Sequence, residues 1–311
     1  MTSPTPTPAT EPELAPAPGV HRHVVDVHGV PASALVAEVP RPQAVVVALH
    51  GGATTSAYFD HPGHPRLSLL RTAAAAGFTV IAVDRPGYGS SAGFEDRMRT
   101  PEQRTDFVFA AVEAFLRGRE RGVGVFLWAH SAGCELTVRM ASDPRGAELL
   151  GVELAGMGRT HHPRSIRAME EWRRDPTRTR PDLRRVLWHP PHAYPPDVHG
   201  GRSIGSASPA YEGHREGWQK EFARLSARVP VPVHLTLAEH EQVWLNGPEG
   251  LSDLAAMFTG ASRVVRHEQA GAGHNTSVGR TALAYHLHVL AFVEECALGV
   301  QALPTEKGTW G

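Results

Sequence analysis

Residues 129–133 read Ala-His-Ser-Ala-Gly, a serine with small residues two places to either side. This is the spacing of G-x-S-x-G, with Ala129 in the first glycine position. A strand-like run at 123–128 precedes Ser131, and an Ala-rich helical pattern follows it. The serine therefore falls where a chain turns sharply from strand into helix. Small flanking residues keep such a turn free of collisions, and alanine is small enough to serve. A serine hydroxyl is a poor nucleophile at neutral pH and needs a general base within hydrogen-bond reach. Two downstream loops carry candidates. One reads Ala238-Glu239-His240-Glu241-Gln242-Val243-Trp244, the other Ala270-Gly271-Ala272-Gly273-His274-Asn275. A serine, an imidazole and an orienting carboxylate together perform acyl transfer. The plainer reading is a serine in an ordinary turn.

The elements that must position these residues show a repeating order. Residues 23–27 and 33–39 read as a first pair of strands, joined through Gly29-Val30-Pro31. Continuous apolar runs at 44–49 and 79–83 read as strands buried on both faces, and 123–128, 150–154 and 231–237 as further strands. A further strand is expected at 262–266. Helical patterns fall at 67–76, 101–121, 132–142, 251–258 and 277–298. Alternation of this kind predicts an α/β fold, a mostly parallel sheet with helices on both faces. The stretch 157–228 breaks the alternation. It is rich in Arg, Pro and His and too long for an ordinary loop, so a cap or lid inserted in the core is expected there. The core is then 20–156 and 229–299. Residues 1–19 read as a disordered Pro/Thr-rich tail and 300–311 as a C-terminal tail.

Taken together, these motifs make the chain resemble an α/β-hydrolase over about residues 23–298. His50-Gly51-Gly52 resembles that family's oxyanion loop after the third strand, and Asp84-Arg85-Pro86-Gly87-Tyr88-Gly89-Ser90-Ser91 its D-x-P-G-x-G-x-S turn after the fourth. Ala238-Glu239-His240-Glu241 resembles the G-x-x-D acid turn, and Gly273-His274 the G-H that supplies the base. The departures are Ala129 and Ala238 for glycine and Glu241 for the commoner Asp. The resemblance implies Ser131 as nucleophile, His274 as base and Glu241 as the orienting acid, with Glu239 its rival. The alternative acid position after the sixth strand holds Ala155-Gly156-Met157-Gly158, with no carboxylate. Oxyanion donors are expected from the N–H of Ala132 and of Gly52 or Ala53. His50 and His130 read as structural. Asp84 and Arg85 read as bracing the turn or as a salt bridge.

The implied reaction is hydrolysis of an ester or thioester through an acyl-enzyme on Ser131. A carrier-linked thioesterase or cyclase would use the same residues. A non-catalytic small-molecule-binding protein on this fold is the reading from another class. Trp172, Trp188, Tyr194, Tyr211 and Trp218 lie in the inserted stretch, where they line an acyl pocket or form the cap's own core; Trp188 and Tyr194 are the substrate-contact candidates. The ten arginines from Arg159 to Arg202 read first as a solvated face, second as an attractor for an anionic substrate or carrier.

A net charge of -1 with both signs interspersed argues against a nucleic-acid partner or an anionic membrane surface. No run of about 20 apolar residues was expected to span a bilayer. Two cysteines, Cys134 and Cys296, make no disulfide framework and fit free thiols in a reducing cytoplasm. The histidines at 161, 162, 189, 192, 199 and 214 have no metal-ligand spacing, and no dinucleotide fingerprint is present, so no metal or other cofactor is expected.

Overall fold

The structure is a computed structural model that describes residues 19–174, 181–213 and 218–301. Both expected tails lie almost wholly outside the described residues. Eight strands form one sheet in the order β1-β2-β4-β3-β5-β6-β7-β8. They are β1 (His21–Val27), β2 (Val30–Ala37), β3 (Val45–Leu49), β4 (Thr79–Val83), β5 (Val125–His130), β6 (Gly151–Ala155), β7 (Val233–Ala238) and β8 (Val264–Gln269). β2 pairs antiparallel with β1 and β4; every later neighbour pair is parallel. The patterning explains this. β3, β4 and β6 are buried at every residue, as parallel strands covered on both faces must be, whereas β1 alternates at the sheet edge. Each fully buried Val or Leu contributes about 1.5–3 kcal/mol, so these strands carry much of the core.

The helices are α1 (Leu69–Ala75), α2 (Pro101–Leu116), α3 (Ala132–Ser142), α4 (Pro163–Arg174), α5 (Pro181–Leu187), α6 (Trp218–Ser226), α7 (Gly247–Ala255) and α8 (Ala282–Gln301). α2 starts as its sequence dictates, with a Thr100–Gln103 capping box and Pro101 in the first turn. It stops earlier than the expected 121: Arg117 is already extended, at ψ 119°, and Gly118 follows at φ 76°. Two apolar clusters fill the faces of the sheet, one under α2 and α3, the other under α1 and α8.

α8 departs from the expectation about apolar runs. Ala282–Val300 is long and apolar enough to cross a membrane by length and composition. Its Tyr285, Val289 and Val293 are fully buried against the sheet, and the helix packs on α1 and β6. A polar network is buried beneath it. Glu153 on β6 meets His234 Nδ1 on β7 at 2.5 Å and accepts from the Tyr285 hydroxyl at 2.9 Å. Cys134 and Cys296 are both free and buried.

Between β6 and β7 the chain leaves the sheet. Among its described residues this segment forms α4, α5 and α6 with short turns and no strand, and it touches the core through bridges Thr54–Gly205 and His161–Trp244.

Candidate active site

Ser131 follows β5 directly and occupies the N-cap position of α3, with φ 49° and ψ −116°. A non-glycine residue there costs of order 1–3 kcal/mol. The strain is held by neighbours. Ser131 N–H donates to Ala155 O at 2.8 Å, and Cys134 N–H donates to Ser131 O at 2.9 Å. Gly133 is obligatory, since a Cβ there would lie 2.3 Å from Leu49 O. The Ser131 hydroxyl makes no cap hydrogen bond to the helix. Instead its Oγ lies 3.1 Å from His274 Nε2.

His274 sits in the loop after β8. Its Nδ1 faces both oxygens of Glu241, at 3.0 and 2.8 Å. Glu241 lies after β7, is buried, and also accepts from Val243 N–H at 2.8 Å. The fold thus brings the three candidates into one hydrogen-bonded chain across three strand ends. Glu239 points elsewhere: its Oε2 accepts from Gly271 N–H at 2.7 Å, fastening the two loops together. The turn after β6 passes beside the imidazole as Gly156, at φ 64°, where a Cβ would stand 3.1 Å from His274 Cε1.

The oxyanion candidates lie on either side. Ala132 opens α3, and the first N–H groups of a helix have no intrahelical acceptor. In the loop after β3, Ala53 N–H is already bonded to the Tyr88 hydroxyl at 3.0 Å, which leaves Gly52 as the better-placed donor of the two. His50 braces this loop. Its Nδ1 donates to Gly51 O at 2.8 Å and its Nε2 accepts from Arg85 N–H at 3.0 Å. Burial, and then the Arg85 charge, push its pKa well down, so it is a neutral strut. His130 donates from Nε2 to His274 O at 2.9 Å and stacks on Tyr58 at 4.5 Å. Burial lowers its pKa well below the usual range too.

Asp84 braces its turn by accepting from Ser33 Oγ at 2.6 Å and Ser56 N–H at 2.7 Å. Arg85 makes the salt bridge, but with Glu212 of the inserted segment at 2.5 Å, both side chains buried. It also donates to Gly51 O at 2.9 Å. Sequence reading missed Glu212, which approaches Gly52 from 127 positions along the chain from Arg85, with no local motif to mark it.

A cavity of about 680 Å³ opens over Ser131. Ser131, His274 and the 51–54 loop form one side; Leu183, Leu187 and Trp188 stand on the other. Tyr194 does not line it. It is buried behind Trp188, with its hydroxyl accepting from Asn275 N–H at 3.2 Å, so it holds the His274 loop. Tyr211 and Trp218 border a separate small cavity beside α3. The Trp172 side chain and His214 lie outside the described residues. His161 stacks on Trp244 at 4.1 Å, a packing role. Among the described residues no cluster of three His, Cys, Asp or Glu side chains is placed to hold a metal ion.

A family model described as the alpha/beta hydrolase family matches residues 46–289. The chain belongs to the alpha/beta hydrolase family. No curated protein matches it by sequence. Solved structures on the same fold include a membrane phospholipase A described as a bacterial virulence factor, at 17% identity and a TM-score of 0.62, covering 92% of this chain and 88% of that one. A Paleococcus ferrophilus monoacylglycerol lipase is 19% identical with a TM-score of 0.60, covering 89% and 99%. A thermostable carboxyl esterase from Bacillus coagulans is 15% identical with a TM-score of 0.62, covering 89% and 99%. At these identities the likeness concerns the alpha/beta hydrolase fold alone.

Proposed function

We propose that this alpha/beta hydrolase is a serine hydrolase that cleaves an ester or thioester through an acyl-enzyme on Ser131. The observation that carries the reading is the unbroken chain from Glu241 through His274 to Ser131 Oγ. His274 Nε2 takes the Ser131 proton as Oγ attacks the carbonyl carbon, while Glu241 holds Nδ1–H and stabilises the imidazolium. The oxyanion accepts from Ala132 N–H, assisted by the N-terminal end of α3, and from Gly52 N–H. His274 then returns the proton to the departing alcohol or thiol. Water attacks the acyl-enzyme with the same imidazole as base, and Ser131 is regenerated. Residues 157–228 act as a lid over this chemistry: they supply Leu187 and Trp188 to the cavity wall and restrict water.

The test is Ser131→Ala on a panel of aryl esters and acyl-pantetheine thioesters. Turnover of the best substrate is expected to fall on the order of 10⁴-fold or more with the fold intact, because triad members act as a unit. Turnover retained within about tenfold in the folded variant would rule Ser131 out as the nucleophile.

A further inference from the structure

Among the described residues, the wall facing Ser131 carries two cations and no anion. Arg184 and Arg202, both from the segment between β6 and β7, line the cavity, and among the described residues no Asp or Glu does. Arg184 is seated. Its Nη2 donates to Gly200 O at 2.5 Å, and a Cβ on residue 200 would stand 2.6 Å from that same nitrogen. Gly200 also has φ 87°, a conformation only glycine takes readily, so this turn leaves the guanidinium room as well as an acceptor. Arg202 is exposed, and its guanidinium has no hydrogen-bond or ion-pair partner among the described residues. Glu212, which approaches the opposite side of the cavity near Gly52, is already paired with Arg85.

The neighbouring arginines are arranged differently. Arg164, Arg167 and Arg185 surround a second cavity of about 450 Å³ on the other side of Trp188, and Glu171 stands among them. Arg184 and Arg202, with no carboxylate partner among the described residues, line the cavity that holds the nucleophile. A guanidinium presents a planar fork of donors that matches a carboxylate or a phosphate, and such charge-assisted hydrogen bonds are about twice as strong as neutral ones. Leu183, Leu187 and Trp188 beside them offer an apolar stretch of the same wall.

We propose that Arg184 and Arg202 form an anion subsite over Ser131, so that the substrate is an amphipathic ester or thioester carrying a carboxylate or phosphate at the end that reaches the inserted segment. The inference rests on the serine-hydrolase reading for where the scissile bond lies, and the two can fail separately.

The experiment compares matched neutral and anionic substrate pairs in the wild-type protein and in the double variant Arg184→Gln/Arg202→Gln. One pair is 4-nitrophenyl octanoate and the mono-4-nitrophenyl ester of octanedioic acid, which differ by a carboxylate on the acyl end. The other is octanoyl-pantetheine and its 4′-phosphate, which differ by a phosphate on the leaving group. In the wild type, kcat/KM is expected to favour the anionic member of at least one pair by roughly tenfold or more. The pair that responds tells whether the anion belongs to the acyl or the leaving group. The double variant should lose that preference to within about twofold while keeping the neutral member within about threefold. No anionic preference in either pair, or a proportional fall for neutral and anionic members, overturns the subsite. If no ester or thioester is turned over at all, the hydrolase reading fails. The subsite is then judged by calorimetry, where octanedioate must bind the wild type more tightly than octanoate and lose that advantage in the double variant.

Discussion

Glu239 and Glu241 are two positions apart and chemically identical, yet the fold gives them different work. Glu241 is buried with both oxygens on His274, whereas Glu239 is spent on Gly271 N–H at the loop surface. A carboxylate on the far ring nitrogen fixes the tautomer of the base and stabilises its cation. Glu241→Gln is therefore expected to lower kcat roughly 10²–10⁴-fold, and Glu239→Gln to change it less than about threefold, as measured on any substrate the wild type turns over. A larger loss in Glu239→Gln would reassign the acid. At this scale the sequence was informative wherever a side chain sits at a fixed offset from a strand end, which is why Ser131, His274 and Glu241 were all readable as candidates. It was silent where partners come from distant segments. Glu153, His234 and Tyr285 make one buried network, but nothing near any of them announces the other two. Tyr194 was read as a substrate contact because an aromatic ring in a cap suits both a pocket and a core. Its burial and its bond to Asn275 N–H put it behind the pocket wall.

Among the elements, α8 carries the clearest physical liability. His286 is fully buried beside Trp128, and neither ring nitrogen has a hydrogen-bond partner among the described residues. Burial lowers its pKa to about 3. The folded protein therefore keeps this imidazole neutral while the unfolded chain takes up a proton near its ordinary value of about 6.5. Above that pH neither state is protonated and the full stability is present. Below it the unfolded state binds the extra proton, and stability is lost at about 1.4 kcal/mol per pH unit until the folded pKa is reached. His50 and His130, also held neutral by burial, act in the same direction. His286→Phe should remove one group's share, about 2 kcal/mol between pH 7 and pH 5, measured as the difference in urea-unfolding free energy between those pH values. Equal pH dependence in wild type and variant would show that His286 is solvated or paired. β3 and β4 were readable because they run as nearly unbroken apolar stretches rich in β-branched residues. Strand ends shifted by up to three residues, and α2 ended early where Arg117 turns extended ahead of Gly118, a glycine stop that the expectation of a helix to 121 ran past.

At the scale of the molecule, the alternation of strands and helices implied a mostly parallel sheet, and the sheet is that. The strand order was not implied. β4 lies between β2 and β3, a crossover decided by packing across the sheet rather than by any neighbour in sequence. That order sets β3, β5 and β6 side by side, so the 51–54 loop, Ser131 and Gly156 meet at one edge, with the β7 and β8 loops bringing Glu241 and His274 to them. On the proposed reading, the arrangement activates the Ser131 hydroxyl under the cavity it borders. A small fluorophosphonate reads this out directly, since it needs an activated nucleophile and no knowledge of the substrate. Peptide mass spectrometry after labelling should place a single adduct on Ser131, and His274→Ala should slow its formation on the order of 10³-fold or more. An adduct on another residue, or labelling of the folded wild type no faster than of His274→Ala, would contradict the account.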